Sequence, residues 1–367
     1  MGFNCGIVGL PNVGKSTLFN ALTATAAAQA GNFPFCTIEP NVGRVAVPDE
    51  RMEKIASIAG SANILPSQLE FVDIAGLVKG ASEGEGLGNQ FLSNIRETDA
   101  IIHVVRCFED DDVHHVEGSV DPVRDIETIE TELMLADLDS ITNQIENLKK
   151  KTRSGDKEII AQSAFLERIK AALDEGKPAR TVAASGEDEE RWLKIAQLIT
   201  SKPILYVCNV SEEDAADGNE FTAKVEQLAK AQGAEAVTIC ASIESEIAQL
   251  ESEEEKGEFL ETMGLTEPGL NRIIRAGNKL LNLQTYFTAG PKETRAWTIQ
   301  IGTKAPQAAG VIHTDFEKGF IKAETIAYDD YIACNGEVGA KDAGKMRQEG
   351  KDYVVQDGDI ILFRFNV

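Results

Sequence analysis

Apolar and polar positions follow two rhythms along this chain of 367 residues. Short apolar runs at 6–8, 42–47, 69–74, 100–107, 203–209 and 236–241 alternate with helix-like patterns. Runs of that kind predict a mainly parallel sheet with helices on its faces, an α/β fold. Between 125 and 201 the period changes. Ile126, Ile129 and Leu133, then Leu138, Ile141, Ile145 and Leu148, recur every three or four residues among Glu and Asp, which predicts a long amphipathic helix. Ser154-Gly155-Asp156 ends it. Leu166, Ile169 and Leu173 mark a second helix that stops near Gly176-Lys177-Pro178, and Trp192, Ile195 and Ile199 mark one face of a third. The stretch reads as an inserted, coiled-coil-like helical hairpin whose apolar stripes pack on each other. After Leu283 come short β-rich segments at 296–301, 319–325, 353–356 and 360–365, the pattern of a compact α+β module.

The first apolar run leads into Gly9-Leu10-Pro11-Asn12-Val13-Gly14-Lys15-Ser16, a complete phosphate loop that opens a helical run from Thr17. Glycines let the loop backbone turn its N–H groups inward around phosphates, Lys15 reaches the β/γ oxygens, and the Ser16 hydroxyl is placed to ligate Mg²⁺. The following helix adds its positive end. Asn12, Val13, Gly14, Lys15, Ser16 and Thr17 are therefore the expected phosphate-binding set, and the chain binds a nucleoside triphosphate.

Such a loop needs a carboxylate from a second strand, and the run ending in Val72-Asp73-Ile74-Ala75-Gly76 supplies Asp73 for Mg²⁺. Gly76 offers its N–H to the γ-phosphate where a side chain would block approach. Thr37, in the intervening Asn32-Phe33-Pro34-Phe35-Cys36-Thr37 loop, is the expected switch residue that completes the metal shell. Position 77 is Leu, where switch GTPases carry the Gln that orients the attacking water. Leucine cannot hydrogen-bond water, so hydrolysis is expected to be slow or to use another group. Asn12 is a candidate for steadying a K⁺ ion against the phosphates, and His115 in the acidic stretch from Glu109 is the candidate catalytic side chain, with His114 beside it.

Base recognition is expected after a later strand, at Asn209-Val210-Ser211-Glu212, with Ser242 in a second base-contacting loop. Guanine-specific proteins carry Asn-Lys-x-Asp there. Here Val210 replaces Lys and Glu212 replaces Asp, and a charged hydrogen bond contributes about 1.5–3 kcal/mol. Shifting that carboxylate by one methylene weakens the guanine preference and admits adenine, although a longer Glu can still reach guanine.

Composition narrows the partners. With 43% hydrophobic and 26% charged residues the chain reads as soluble, and no run approaches the ~20 apolar residues of a membrane span. No charged leader precedes the phosphate-loop strand, so a cytoplasmic protein is expected. The formal charge of -24 argues against DNA and nonspecific RNA binding. One compact basic run, Lys149-Lys150-Lys151-Thr152-Arg153, reads as a solvated helix end. Of six cysteines, Cys5, Cys107, Cys208 and Cys240 lie in apolar runs and are expected to be inert, while Cys36 sits beside the nucleotide loops.

These motifs, together with Asp73 to Ala81, the glycine-rich Gly84-Glu85-Gly86-Leu87-Gly88-Asn89-Gln90-Phe91 and the segment Asn32 to Asn41, resemble the YchF-type Obg-like ATPases of the translation-factor class of P-loop proteins over essentially the whole chain. The resemblance implies a Ras-like nucleotide domain at 1–124 and 202–282, a helical insertion at 125–201 and a TGS domain, a small β-grasp module, at 283–367. It implies an ATPase preferring ATP to GTP, with Asn209 and the Val210 backbone at adenine, a hydrophobic residue at Leu77 and a catalytic histidine at His115. It also implies ribosome association, through the large subunit, and a role in translation or stress; a monomer is expected. A GTP-specific switch and a nucleotide-gated scaffold with incidental hydrolysis are the alternatives.

Overall fold

The computed structural model describes residues 3–30, 42–74, 87–110, 112–115, 118–152, 156–250 and 252–366. It divides into two compact units, Phe3–Gly43 with Glu70–Ile273, and Arg44–Leu69 with Ile274–Val367.

In chain order the elements begin with β1 (Asn4–Val8), α1 (Lys15–Ala30), β2 (Val42–Ala46), α2 (Arg51–Ala59), β3 (Asn63–Leu65) and β4 (Gln68–Asp73). There follow α3 (Leu87–Arg96), β5 (Ala100–Arg106), α4 (Pro122–Thr152), α5 (Lys157–Asp174), α6 (Glu187–Ala196) and β6 (Ile204–Asn209). Next come α7 (Glu220–Ala231), β7 (Glu235–Ile239), α8 (Ala241–Ile247), α9 (Glu253–Thr262), α10 (Gly269–Leu280), β8 (Leu283–Ala289) and β9 (Glu293–Gln300). The last are α11 (Ala305–Ile312), α12 (Thr314–Lys318), β10 (Phe320–Ile326), α13 (Tyr328–Ala333), α14 (Glu337–Asp342), β11 (Arg347–Glu349) and β12 (Ile360–Phe365).

The first sheet runs β2-β4-β1-β5-β6-β7. From β4 to β7 every neighbouring pair is parallel, so the carboxyl ends of β1, β4, β5, β6 and β7 share one edge. That is where an open parallel sheet places its ligands. β5 is buried at every position, as a strand covered on both faces must be. Cys5, Cys107, Cys208 and Cys240 are buried, and burial pushes the Cys5 thiol up to about 12. Cys36 lies outside the described residues.

The amphipathic stretch forms α4, α5 and α6. Ile141, Ile145, Phe165, Leu166, Ile169 and Trp192 make a core of their own, and Asp156 caps α5 by accepting from Glu158 N at 2.9 Å. The third helix is shorter than its periodicity suggested. It ends at Ala196 with Gln197 left-handed at φ 49, which leaves Ile195 63% exposed and puts Ile199 in a buried turn beyond the helix. That turn is held to α4 by Asp137, whose carboxylate accepts from Ile199 N and Thr200 N at 2.8 and 2.7 Å.

In the second unit the sheet runs β11-β10-β12-β8-β9-β3. Ala305, Ala308 and Phe316 of α11 and α12 join one core with Tyr286, Phe320 and Phe363. Met52 and Ile55 of α2 join another with Phe287, Ile326 and Tyr331. The expected domain limits change at this point: residues 44–69 group with the C-terminal module because β3 pairs in parallel with β9, Asn63 opposite Glu293. A strand that finds its partner more than two hundred residues away leaves no trace in local periodicity. The apolar run at 353–356 makes only a single bridge, Val354 to Lys304, and no strand.

Candidate nucleotide site

The phosphate loop leaves β1 and turns into α1 with Asn12 and Gly14 both left-handed, at φ 63 and 89. Glycine is required at position 14 for a second reason: a Cβ there would collide with Asn209 Nδ2. Lys15 is buried and its ammonium contacts the Asp73 carboxylate at the end of β4. The residue expected at the phosphates and the residue expected at the metal thus meet, although they come from different strands of the sequence pattern. Ser16 and Thr17 are exposed at the start of α1. Thr37, Gly76 and Leu77 lie outside the described residues.

Beside the loop is a cavity of about 640 Å³, within the size range of ligand pockets. Asn12, Gly14 and Thr17 form one wall, Val210, Glu212 and Ser242 another. Ser242 Oγ donates to Glu212 Oε1 at 3.3 Å across that wall. Asn209 and Val210, the residues expected at the base, both line this cavity. Asn209 is 4% exposed, its Nδ2 donates to Val13 O at 3.0 Å and its Oδ1 accepts from Ala241 N at 2.9 Å. It ties the phosphate loop to the segment after β7, so it positions the pocket. The Val210 N–H donates to Ile239 O at 2.9 Å.

The remaining wall is Phe108, Glu109, Asp110 and Val113, and the residue that shapes it escaped the sequence reading. Arg106 ends the apolar strand β5 and is 2% exposed. Its Nε, Nη1 and Nη2 donate to the carbonyls of Phe108, Val113 and Asp110 at 3.1, 2.8 and 3.1 Å. Its guanidinium lies over the Phe108 ring, 4.6 Å from the centroid. A lone cation closing an otherwise apolar run was the available signal, since a buried guanidinium must satisfy its donors.

The same loop carries the histidines. His115 is 9% exposed, and its Nε2 is 2.8 Å from Asp125 Oδ2. His114 is exposed, and its carbonyl accepts from Asn12 Nδ2 at 3.1 Å. The loop therefore touches the phosphate loop through His114, while the ring expected to be catalytic is held on α4.

A family model described as "50S ribosome-binding GTPase" matches residues 4–160, and the YchF-GTPase C-terminal model, described as a protein of unknown function, matches residues 283–366. The Ribosome-binding ATPase YchF of Haemophilus ducreyi is 60% identical over 367 residues, covering 100% of both chains. That of Bacillus subtilis is 55% identical over 369 residues, again with 100% coverage. The chain belongs to the YchF family. The solved YchF GTPase of Schizosaccharomyces pombe is 39% identical and superposes with a TM-score of 0.89 over 99% of this chain and 98% of that one. As a YchF-family member the chain is a P-loop nucleoside-triphosphate hydrolase with a mixed α/β fold. Among the described residues no helix is long and apolar enough to cross a membrane.

Proposed function

We propose that this chain is a slow, Mg²⁺-dependent ATPase that yields ADP and phosphate and whose nucleotide state governs association with the ribosome. The meeting of Lys15 and Asp73 at the phosphate loop carries the reading, because it brings a phosphate-binding cation and a metal-binding carboxylate to one point. The donor set fits magnesium: a Ser16 hydroxyl, the Asp73 carboxylate and the Thr37 hydroxyl are hard oxygen ligands. Bound there, Mg²⁺ supplies charge neutralisation at the phosphate oxygens. Lys15 exchanges Asp73 for the phosphates when ATP enters, and the loop amides, with Gly76, stabilise charge on the transferring phosphoryl group as water attacks.

Adenine is favoured because the carboxylate of Glu212 is engaged by Ser242. The Val210 carbonyl is the natural acceptor for the 6-amino group. With Leu77 unable to orient water, turnover is slow, and His115 acts only after leaving Asp125; K⁺ held with the help of Asn12 is the proposed activator. The relatives' names and the first family model support the ribosome, its large subunit in particular, as partner. We further assign the protein to the cytoplasm as a monomer that does not bind DNA or membranes.

Single-turnover phosphate release tests this reading, measured with His114→Ala and His115→Ala variants in K⁺ and in Na⁺, with and without ribosomes. The proposal expects the His115 variant to be slower and K⁺ and ribosomes to accelerate the parent protein. Equal rates for the parent and both histidine variants would remove the catalytic role.

A further inference from the structure

The second unit contains a cleft that the nucleotide reading does not use. β12 lies in the middle of its sheet, antiparallel to β10 on one side through six register pairs from Ile360–Ile326 to Phe365–Phe320. On its other side the chain bonds to β8 through Gly358 N to Thr285 O and Phe287 N to Asp359 O, each at 2.8 Å, and the register pairing ends with Phe287 opposite Ile360. β8 meanwhile stays paired with β9 as far as Ala289 opposite Thr294. Among the described residues, β12 from Leu362 to Phe365 therefore has no register pair on its β8 side. In an antiparallel ladder only alternate residues bond to the partner strand, so the others direct N–H and C=O outward. A cavity of about 360 Å³ lies at this split and is lined from both strands, by Thr288 and Ala289 on one side and Leu362 and Phe365 on the other. Leu362 and Phe365 are 41% and 36% exposed, unusual for apolar residues of a central strand.

The charged side chains that line the split, among the described residues, are acidic, and cations flank them. Glu293, Glu324 and Glu337 line the cavity, and among the described residues no Lys or Arg does. Glu324 is neutralised from outside by Lys322 and Arg364, at 3.0 and 2.9 Å. Glu293 and Glu337 are exposed. The aromatic wall already accepts one guanidinium, with Arg295 Cζ 4.1 Å from the Trp297 ring centroid.

We propose that this split receives an extended basic polypeptide segment, which adds to the free side of β12 and places Lys or Arg side chains between Trp297, Glu293 and Glu337. Main-chain hydrogen bonds would give affinity, and the alternate side chains would give the preference for cations. The occupant is a strand because the split exposes strand backbone, and it is basic because the lining offers carboxylates and π-faces. Its cavity is too small for a helix of ~10–12 Å diameter. This inference is independent of the nucleotide chemistry.

The test uses the full-length chain with Trp192→Phe, which leaves Trp297 as the one tryptophan of the original two. The probe is a capped decapeptide of alternating Val and Lys, titrated against Trp297 fluorescence. Binding should be saturable and should weaken with salt. It should be lost when alternate amides of the peptide are N-methylated and when Glu replaces Lys. Glu293→Gln with Glu337→Gln should raise Kd about three- to tenfold, the size expected of two exposed charge pairs, while each single variant gives an intermediate value. No saturable change, equal binding by the N-methylated or Glu peptide, or unchanged Kd in the double variant would overturn the proposal. So would displacement of the peptide by equimolar spermidine or oligouridylate. Concentration-dependent dimers that the peptide dissociates, seen by sedimentation, would assign the split to a second copy of the chain instead.

Discussion

The two units handle polar groups differently. The nucleotide unit buries them at its working edge: Lys15, Arg106 and Asn209 are each under 10% exposed, and each has a named partner there. The C-terminal unit buries polar groups away from its cleft, Asp359 accepting from Tyr353 and Gln356, and leaves the carboxylates Glu293 and Glu337 on the rim of a split sheet. The first arrangement suits a small, highly charged ligand that must be held in fixed geometry, because buried donors cannot relax to follow it. The second suits a partner that brings its own backbone.

Variants in the first unit should accordingly damage chemistry, and the largest loss is expected for Lys15→Ala, whose ATP turnover should fall by about 10²–10³-fold. Stopped-flow phosphate detection checks this; a loss below tenfold would break the contrast between the units. Asn209→Ala removes two buried hydrogen bonds that join the phosphate loop to the segment after β7. It should weaken ATP binding roughly tenfold and lower stability by about 1–3 kcal/mol, read by calorimetric titration and urea unfolding. Arg106→Lys keeps the charge but not the three-way fork, so KM for ATP should rise several-fold while kcat changes less.

The smallest functional effect is expected from His103. Burial pushes this imidazole down to about 4, and its Nδ1 has no hydrogen-bond partner. An unfolded histidine titrates near 6.5. Between these values the unfolded chain binds a proton that the folded chain refuses, so stability falls as pH drops through the window, by roughly 3 kcal/mol at its lower end. His103→Phe should flatten that slope in urea midpoints measured from pH 7 to pH 4.5, with ATP turnover at pH 7.5 unchanged.

What the sequence revealed divides along the same line. A phosphate loop was legible because its chemistry demands glycines, Lys15 and Ser16 at fixed spacing on consecutive residues, and Asp73 followed from the next suitable strand. Asn209 was found by its motif, but its bonds to Val13 and Ala241 were not, since a motif cannot say which protein groups an amide also holds. Arg106 was hidden inside an apolar run. The place of β3 and the split beside β12 were invisible, because both depend on which distant strand pairs with which, and periodicity reports only a strand's own faces.

The central claim is that the phosphates are gripped in the usual way while the base escapes the guanine lock at Val210 and Glu212. Equilibrium titration of ATP and GTP into the same Mg²⁺-containing preparation tests it most directly. The account predicts that ATP binds about tenfold or more tightly and that Glu212→Asp narrows the gap. Tighter binding of GTP by the parent protein would contradict it.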